Sequence, residues 1–392
     1  MKSAAKKILM IFLTIMLFSP LSFAKGKFDY DLHELSLVNV ANLGYGGYHA
    51  ADITSFYSIL QNPANTGLTG KKMVFPSLCL NASGNIDLIP DLTMSLLDKS
   101  DSTDVMTKII NSLSSSDTIN LNLAIDGPLN FGMVNNHFGF AFFNKSYLKA
   151  EAPSINMANI YLGESAQLLL SYGYPLSLGP VTFAAGMNAI GHIITEANFL
   201  GSATELLSFN FENLPLYRAF GFTLNVGATL DFWKVFRISF TWNDLFSQFY
   251  VTKFSSFKEM FSWKFFTSKE NATTDIGYSL KAGIAIDFPT KKWTKGFISS
   301  WVLYLDCNDI MCFTDTSLLA KNPILNFSAG TELKLFNTFA FRAGINQSYL
   351  SAGVGLQVDK LHIDYAIYGT ELGIEPGAVP TLNMALALTI QY

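Results

Sequence analysis

Beyond Lys71, apolar and polar residues alternate one by one over most of the chain, the period-two pattern of strands with one apolar face. Residues 381–392 are the clearest case. Leu382, Met384, Leu386, Leu388, Ile390 and Tyr392 form one face, and Thr381, Asn383, Ala385, Ala387, Thr389 and Gln391 form the other. A strand of this length, tilted, suits a bilayer crossing, whereas soluble strands are usually about 5–6 residues long. Fourteen such segments are predicted: 71–83, 128–135, 137–151, 164–177, 180–196, 217–231, 234–250, 275–288, 296–307, 323–336, 338–346, 348–358, 360–371 and 381–392. Within them Phe236, Ile238, Phe240 and Trp242 oppose Arg237, Ser239, Thr241 and Asn243. Phe339, Phe341, Ala343 and Ile345 likewise oppose Ala340, Arg342, Gly344 and Asn346.

The connections provide a second signal. Those after strands 2, 4, 6, 10 and 12 are short and the one after strand 8 is moderate. Those after strands 1, 3, 5, 7, 9 and 13 are long, and only the connection after strand 11 breaks the alternation. Short periplasmic turns and long external loops on an even strand count are the pattern of an outer-membrane barrel, with both termini on the periplasmic side. The expected fold is therefore all-β: a 14-stranded antiparallel transmembrane β-barrel over 71–392, whose last strand closes against Met73 to Leu80. Paired β-sandwich domains would also bury alternating faces, but would not order their loops this way. Short helices are expected in the longest loop, at Asp91–Lys99 and Asp104–Leu113. The loops 197–216 and 251–274, rich in Phe and Leu, are expected to pack together as a cap or to offer an apolar surface.

The first seventy residues do not alternate. Lys2, Lys6 and Lys7 precede the apolar run Ile8–Phe18 and the small-residue site ending at Ala24, so 1–24 reads as a cleaved signal peptide. Its removal takes the formal net charge from −4 to −7, which disfavours nucleic acid as a partner. Residues 25–70 combine glycines, a helix candidate at Asp52–Leu60 capped by Asp52 or Thr54, and the turn Asn62-Pro63-Ala64. Their apolar members favour a small plug packed against another body.

Composition agrees. The chain is 49% hydrophobic and 14% charged, against about 25% charged in an average protein. Catalytic chemistry is thin. There is no Walker loop and no G-x-S-x-G elbow, and the five histidines form no zinc motif with Cys307 and Cys312. Those two cysteines are close enough for a local disulfide, with Cys79 left as a small buried residue. His362 and Asp364 share a strand face without a nucleophile and read as an anchor for the plug. No catalytic residue, metal or cofactor is expected. The expected inward cations are Lys145, Arg237, Lys281 and Arg342, sharing the lumen with Glu332, Lys334, His362 and Asp364. They serve either as ligand contacts or as a structural ion-pair network.

The stretch Leu43-Gly44-Tyr45-Gly46-Gly47, Asp52, Phe56-Tyr57 and Asn62-Pro63-Ala64-Asn65-Thr66-Gly67-Leu68 resembles the opening of the long-chain fatty-acid transporter (FadL-like) family of bacterial outer-membrane barrels. Arg342 to Tyr349, Gly353 to Gly355, Asp364 to Tyr368 and Thr370 to Gly377 resemble the C-terminal region of its TraF-like and PorV-like relatives. The resemblance implies an N-terminal plug, or hatch, over 25–70 inside the barrel, with Gly46, Gly47, Asp52, Phe56, Asn62, Pro63 and Ala64 as gate residues. It further implies passive, plug-gated diffusion of long-chain fatty acids or other hydrophobic small molecules, with Arg237, Lys281 and Arg342 as lumenal ligand contacts. The expected setting is a monomer in outer-membrane lipid, inserted by the barrel assembly machinery. The terminal aromatic Tyr392 resembles an insertion signal. Alternatives are a scaffold or shuttle barrel of a protein-secretion system and a general porin, for which a plug would be an obstruction.

Overall fold

The computed structural model describes residues 30, 32, 37, 39–84, 119–154, 157–202, 205, 214–255, 257–260, 271–314 and 320–392. The signal peptide, the two helices expected at 91–113 and most of the aromatic residues of the 251–274 loop lie outside these residues. The strands are β1 (Lys72–Gly84), β2 (Ile119–Asn135), β3 (Phe138–Ser154), β4 (Met157–Leu178), β5 (Val181–Gly201), β6 (Leu216–Phe232), β7 (Phe236–Phe254), β8 (Asn271–Thr274), β9 (Ser279–Asp287), β10 (Ile298–Cys307), β11 (Phe327–Leu335), β12 (Phe339–Asn346), β13 (Tyr349–Val358), β14 (Leu361–Glu371) and β15 (Pro380–Gln391).

They form one antiparallel ring of fourteen staves, in which β8 and β9 follow one another along β7 as a single stave. Each stave pairs with the next along the sequence, and β15 closes on β1 through Cys79↔Ala387 and Leu80↔Leu386. Met73 and Tyr392 exchange backbone hydrogen bonds of 3.0 and 2.7 Å at the end of this seam. Closure gives every strand except the short β8 a partner on both sides, the condition for strands in lipid.

The side chains follow the alternation. Phe240, Trp242, Phe339, Phe341, Leu386 and Leu388 are exposed on the outer wall, while Arg237, Ser239, Thr241, Arg342, Ala385 and Ala387 are buried inside. An outer wall apolar on strand after strand is a surface for hydrocarbon. No helix among the described residues is long and apolar enough to cross a membrane.

Three regions of the wall differ from expectation. The second strand begins at Ile119, not at 128, because Gly127 (φ +104) and Pro128 sit in a bulge within the strand, where the registers to β1 and β3 both shift. Asn144 of β3 secures the bulge by donating to the Gly127 carbonyl at 3.1 Å and accepting from Leu129 N–H at 3.1 Å. The third and fourth strands run to Ser154 and from Met157, leaving only two residues where a long external loop was expected. The eighth stave is interrupted at 275–278. Consequently one half of the wall is tall, with β2 to β7 17–22 residues long, and the other is low, with β9 to β14 8–11 residues long. Part of the expected apolar loop cap is seen beside the tall half, where Phe199, Leu214, Leu216, Phe254 and Met260 pack together.

Candidate functional site

The described residues from Asn39 to Gly70 touch the inner face of the wall on both sides of the ring. The sequence folds them as short turns, not as one helix. Asn39 caps the turn Val40–Gly44 by accepting from Ala41 N–H at 3.2 Å. The helix expected over Asp52–Leu60 is only the single turn Ser58–Gln61, without a side-chain cap. Asp52 is diverted from capping because its carboxylate accepts from Tyr45 Oη (2.9 Å), Tyr304 Oη of β10 (3.2 Å) and both the amide and hydroxyl of Thr54 (2.8 and 2.7 Å). Asn62 ends the turn and caps the following 3-10 helix Pro63–Gly67 by accepting from Ala64 N–H at 3.0 Å.

Two tracts of wall glycine receive this backbone. Gly173, Gly186 and Gly227 lie side by side across β4, β5 and β6. A Cβ at Gly173 would stand 2.6 Å from Gly67 N, one at Gly186 2.6 Å from Ala64 N, and one at Gly227 3.0 Å from Pro63 Cδ. Gly330 and Gly344 pair across β11 and β12 beneath Tyr45, and Gly353 of β13 abuts Gly44, whose own Cβ would come within 2.9 Å of it. Seen from β5, β12 is six staves away in one direction and eight in the other, so the tracts stand nearly opposite. Gly46 (φ +101) turns the chain at the second tract, with room for no Cβ against the Ala329 carbonyl oxygen, and Gly47 (φ +98) follows beside Asn346.

Polar ties complete the seating. Asn62 Nδ2 donates to the Ala50 carbonyl and to Thr229 Oγ1, both at 3.2 Å. Asn188 of β5 donates to the Ile59 carbonyl at 2.7 Å, and Arg237 Nε donates to that of Ala51 at 3.0 Å. Lys72 Nζ donates to the Thr54 carbonyl. His49 bridges to Asp306 of β10 through Nδ1 at 2.5 Å, and Ala50 N–H donates to the other carboxylate oxygen at 2.8 Å. One flank is apolar. Phe56 and Ile59 pack against Val74, Val134, Ala141, Phe143, Leu169 and Ile190 of β1 to β5. Burial pushes the Tyr48 and Tyr57 phenols up to about 12, so both remain protonated at neutral pH.

The expected cations divide. Arg342 donates to Glu332 at 2.7 Å and to Asp364 at 2.6 Å, and Lys334 joins Glu332 at 3.0 Å, so the ion-pair network forms on β11, β12 and β14. Arg237 is paired with Asp287. Lys281 instead lies over the Tyr48 ring, 5.1 Å from its centroid. Lys145 is buried. His362 and Asp364 line a cavity of about 40 Å³ with Lys334 and Arg342, room for a few waters and far below the roughly 300–1,000 Å³ of a ligand pocket. No group of three or more metal-ligating side chains occurs among the described residues, and the three cysteines are free thiols.

The sequence reading missed His49, Tyr304 and Asp306. The inward phase of Asp306 was available from alternation, but its partner lies 257 residues earlier. It also missed Glu196, which accepts from Tyr30 at 2.9 Å and from Tyr147 at 2.7 Å. That contact puts Tyr30 at the long-loop end of the barrel, beside Tyr217.

No family model matches the sequence, and no curated protein matches it. Solved structures do. A CymD monoaromatic hydrocarbon channel is 11% identical, with 90% of this chain and 97% of that one covered and a TM-score of 0.47. The Pseudomonas putida toluene transporter TodX is 11% identical over 91% and 98%, with a TM-score of 0.43. A Pseudomonas aeruginosa FadL homologue is 10% identical over 90% and 98%, with a TM-score of 0.41.

Proposed function

We propose that this chain is a bacterial outer-membrane transporter that admits long-chain fatty acids or similar hydrophobic molecules by passive diffusion, with residues 25–70 as the plug that gates the lumen. The observation that carries this reading is the apolar flank between the N-terminal segment and the wall, where Phe56 and Ile59 meet Phe143, Leu169 and Ile190. An aqueous pore is polar around its interior. A lumen crossed by a packed segment with one greasy side favours a cargo that gains by leaving water. The gate residues act by seating. Gly46 and Gly47 turn the chain at one wall, Asn62, Pro63 and Ala64 rest on the other, Asp52 ties the two together, and Phe56 forms the apolar flank.

For a cargo bearing a carboxylate, the pairing of Arg237 and Arg342 with protein carboxylates leaves Lys281 as the preferred contact among the three expected cations. The test is uptake of labelled long-chain fatty acid by vesicles containing the intact chain or one carrying Asn62→Ala and Pro63→Ala. A changed flux with an intact barrel supports the gate. Flux unchanged by the substitutions would remove it, and absent uptake with co-purification of a large periplasmic partner would favour a secretion scaffold.

A further inference from the structure

The contact between His49 and Asp306 carries a requirement that its neighbours do not. Both atoms facing the imidazole are acceptors: the Asp306 carboxylate 2.5 Å from Nδ1, and the Tyr45 carbonyl oxygen 2.9 Å from Nε2. A carbonyl oxygen only accepts, so Nε2 must carry a proton. A second proton must lie between Nδ1 and the carboxylate, on whichever atom, because two lone pairs at that distance would repel. The pair thus holds two protons and no net charge. It is sealed from water, with His49 and Asp306 both buried.

We propose that this pair is a proton-held latch that fastens residues 45–52 of the N-terminal segment to β10 and releases them when the shared proton is lost. Deprotonation would leave one lone pair facing another and a buried unbalanced negative charge, an arrangement far costlier than the paired one. The other groups around the latch do not replace that proton. On the segment, Tyr45 donates its hydroxyl to Asp52, and the Gln61 side-chain oxygen Oε1 accepts from His49 N–H at 3.2 Å. On β10, the Tyr304 ring stacks on the imidazole at 4.7 Å and its hydroxyl also donates to Asp52. On β11, Glu332 is taken by Arg342 and Lys334, and on β7, Arg237 is taken by Asp287 and the Ala51 carbonyl. Lys281 of β9 acts on Asp306, Asp244 and Asp309 only through space, and Lys72 of β1 donates to the Thr54 carbonyl. The proposal rests on the plug reading, because it supplies the regulation of that gate.

Asp306→Asn separates the proton from the contact. Its carbonyl oxygen can keep the bond from Ala50 N–H (2.8 Å in the native pair) while its amide donates to Nδ1 of a neutral imidazole, so the tie survives without the second proton. The measurement is hydrogen-exchange protection of residues 45–52 in the full-length protein in lipid, from mildly acidic to mildly alkaline buffer, corrected for intrinsic exchange. The native chain should lose about tenfold or more of that protection as the buffer turns alkaline, while the strands keep theirs and Asp306→Asn holds the segment throughout. His49→Ala should release it at every pH. Identical pH profiles for the native chain and Asp306→Asn, or a native profile without pH dependence, would overturn the latch. Fatty-acid uptake measured on the same samples keeps the two readings apart. Release of the segment with unchanged uptake upholds the latch and removes the gate.

Discussion

At the level of single residues, seating depends on atoms that are missing as much as on atoms that bond. Gly46 occupies a left-handed backbone conformation, and its Cβ position is filled by the Ala329 carbonyl oxygen at 2.6 Å. Gly46→Ala is expected to cost roughly 1–3 kcal/mol from backbone strain, before any displacement from β11. Asn62→Ala removes the donors to Ala50 and Thr229 and the cap on Ala64, and should cost about 2 kcal/mol. Both losses should fall on the N-terminal segment, so hydrogen exchange over 45–67 is the measurement, with the strands as internal reference. Alternation assigned Arg237 and Arg342 to the lumen correctly because a strand has only two faces. It could not choose between ligand contact and ion pair, since Asp287 and Glu332 meet them only once neighbouring strands are in register. The His49–Asp306 contact was less legible still. It depends on how a non-repetitive segment seats in a closed ring, which has no periodic trace in the sequence.

At the level of elements, strands read well wherever one face is uniformly apolar, as in β7, β12 and β15. They read poorly where bulges or small residues blur the two faces. Gly127-Pro128 broke the pattern of β2, and an inward Tyr161 blurred the start of β4, so a long loop was expected where β3 ends at Ser154 and β4 begins at Met157. The expected helix at Asp52 failed because a potential capping carboxylate had better donors elsewhere. A comparable device fixes the connection between β14 and β15. Glu371, at the end of β14, accepts from Tyr349 Oη (2.7 Å) and from the amides of Gly373, Gly377 and Val379 (2.8, 2.7 and 2.6 Å). Glu371→Gln removes the charge and one acceptor. The amides of 373–379 should then lose roughly tenfold or more of their exchange protection, with β14 and β15 unaffected.

At the level of the whole molecule, the ring closes through β1 and β15, and Tyr392 is its last tie, bonded to Met73 and lying 4.2 Å beneath Lys360 Nζ. Tyr392→Ala keeps the backbone bonds but loses the ring. It should lower the yield of inserted barrel, read as the heat-modifiable fraction on gels, without altering uptake per inserted molecule. The central proposal is that the N-terminal segment closes the lumen to water and ions while leaving an apolar route. Ionic conductance across a planar bilayer tests it most directly, comparing the native chain with one in which Gly186→Val and Gly344→Val crowd both wall tracts. The native barrel should pass almost no ion current, and the crowded variant should conduct through an aqueous lumen. A native barrel that already conducts as strongly as the variant would contradict the proposal.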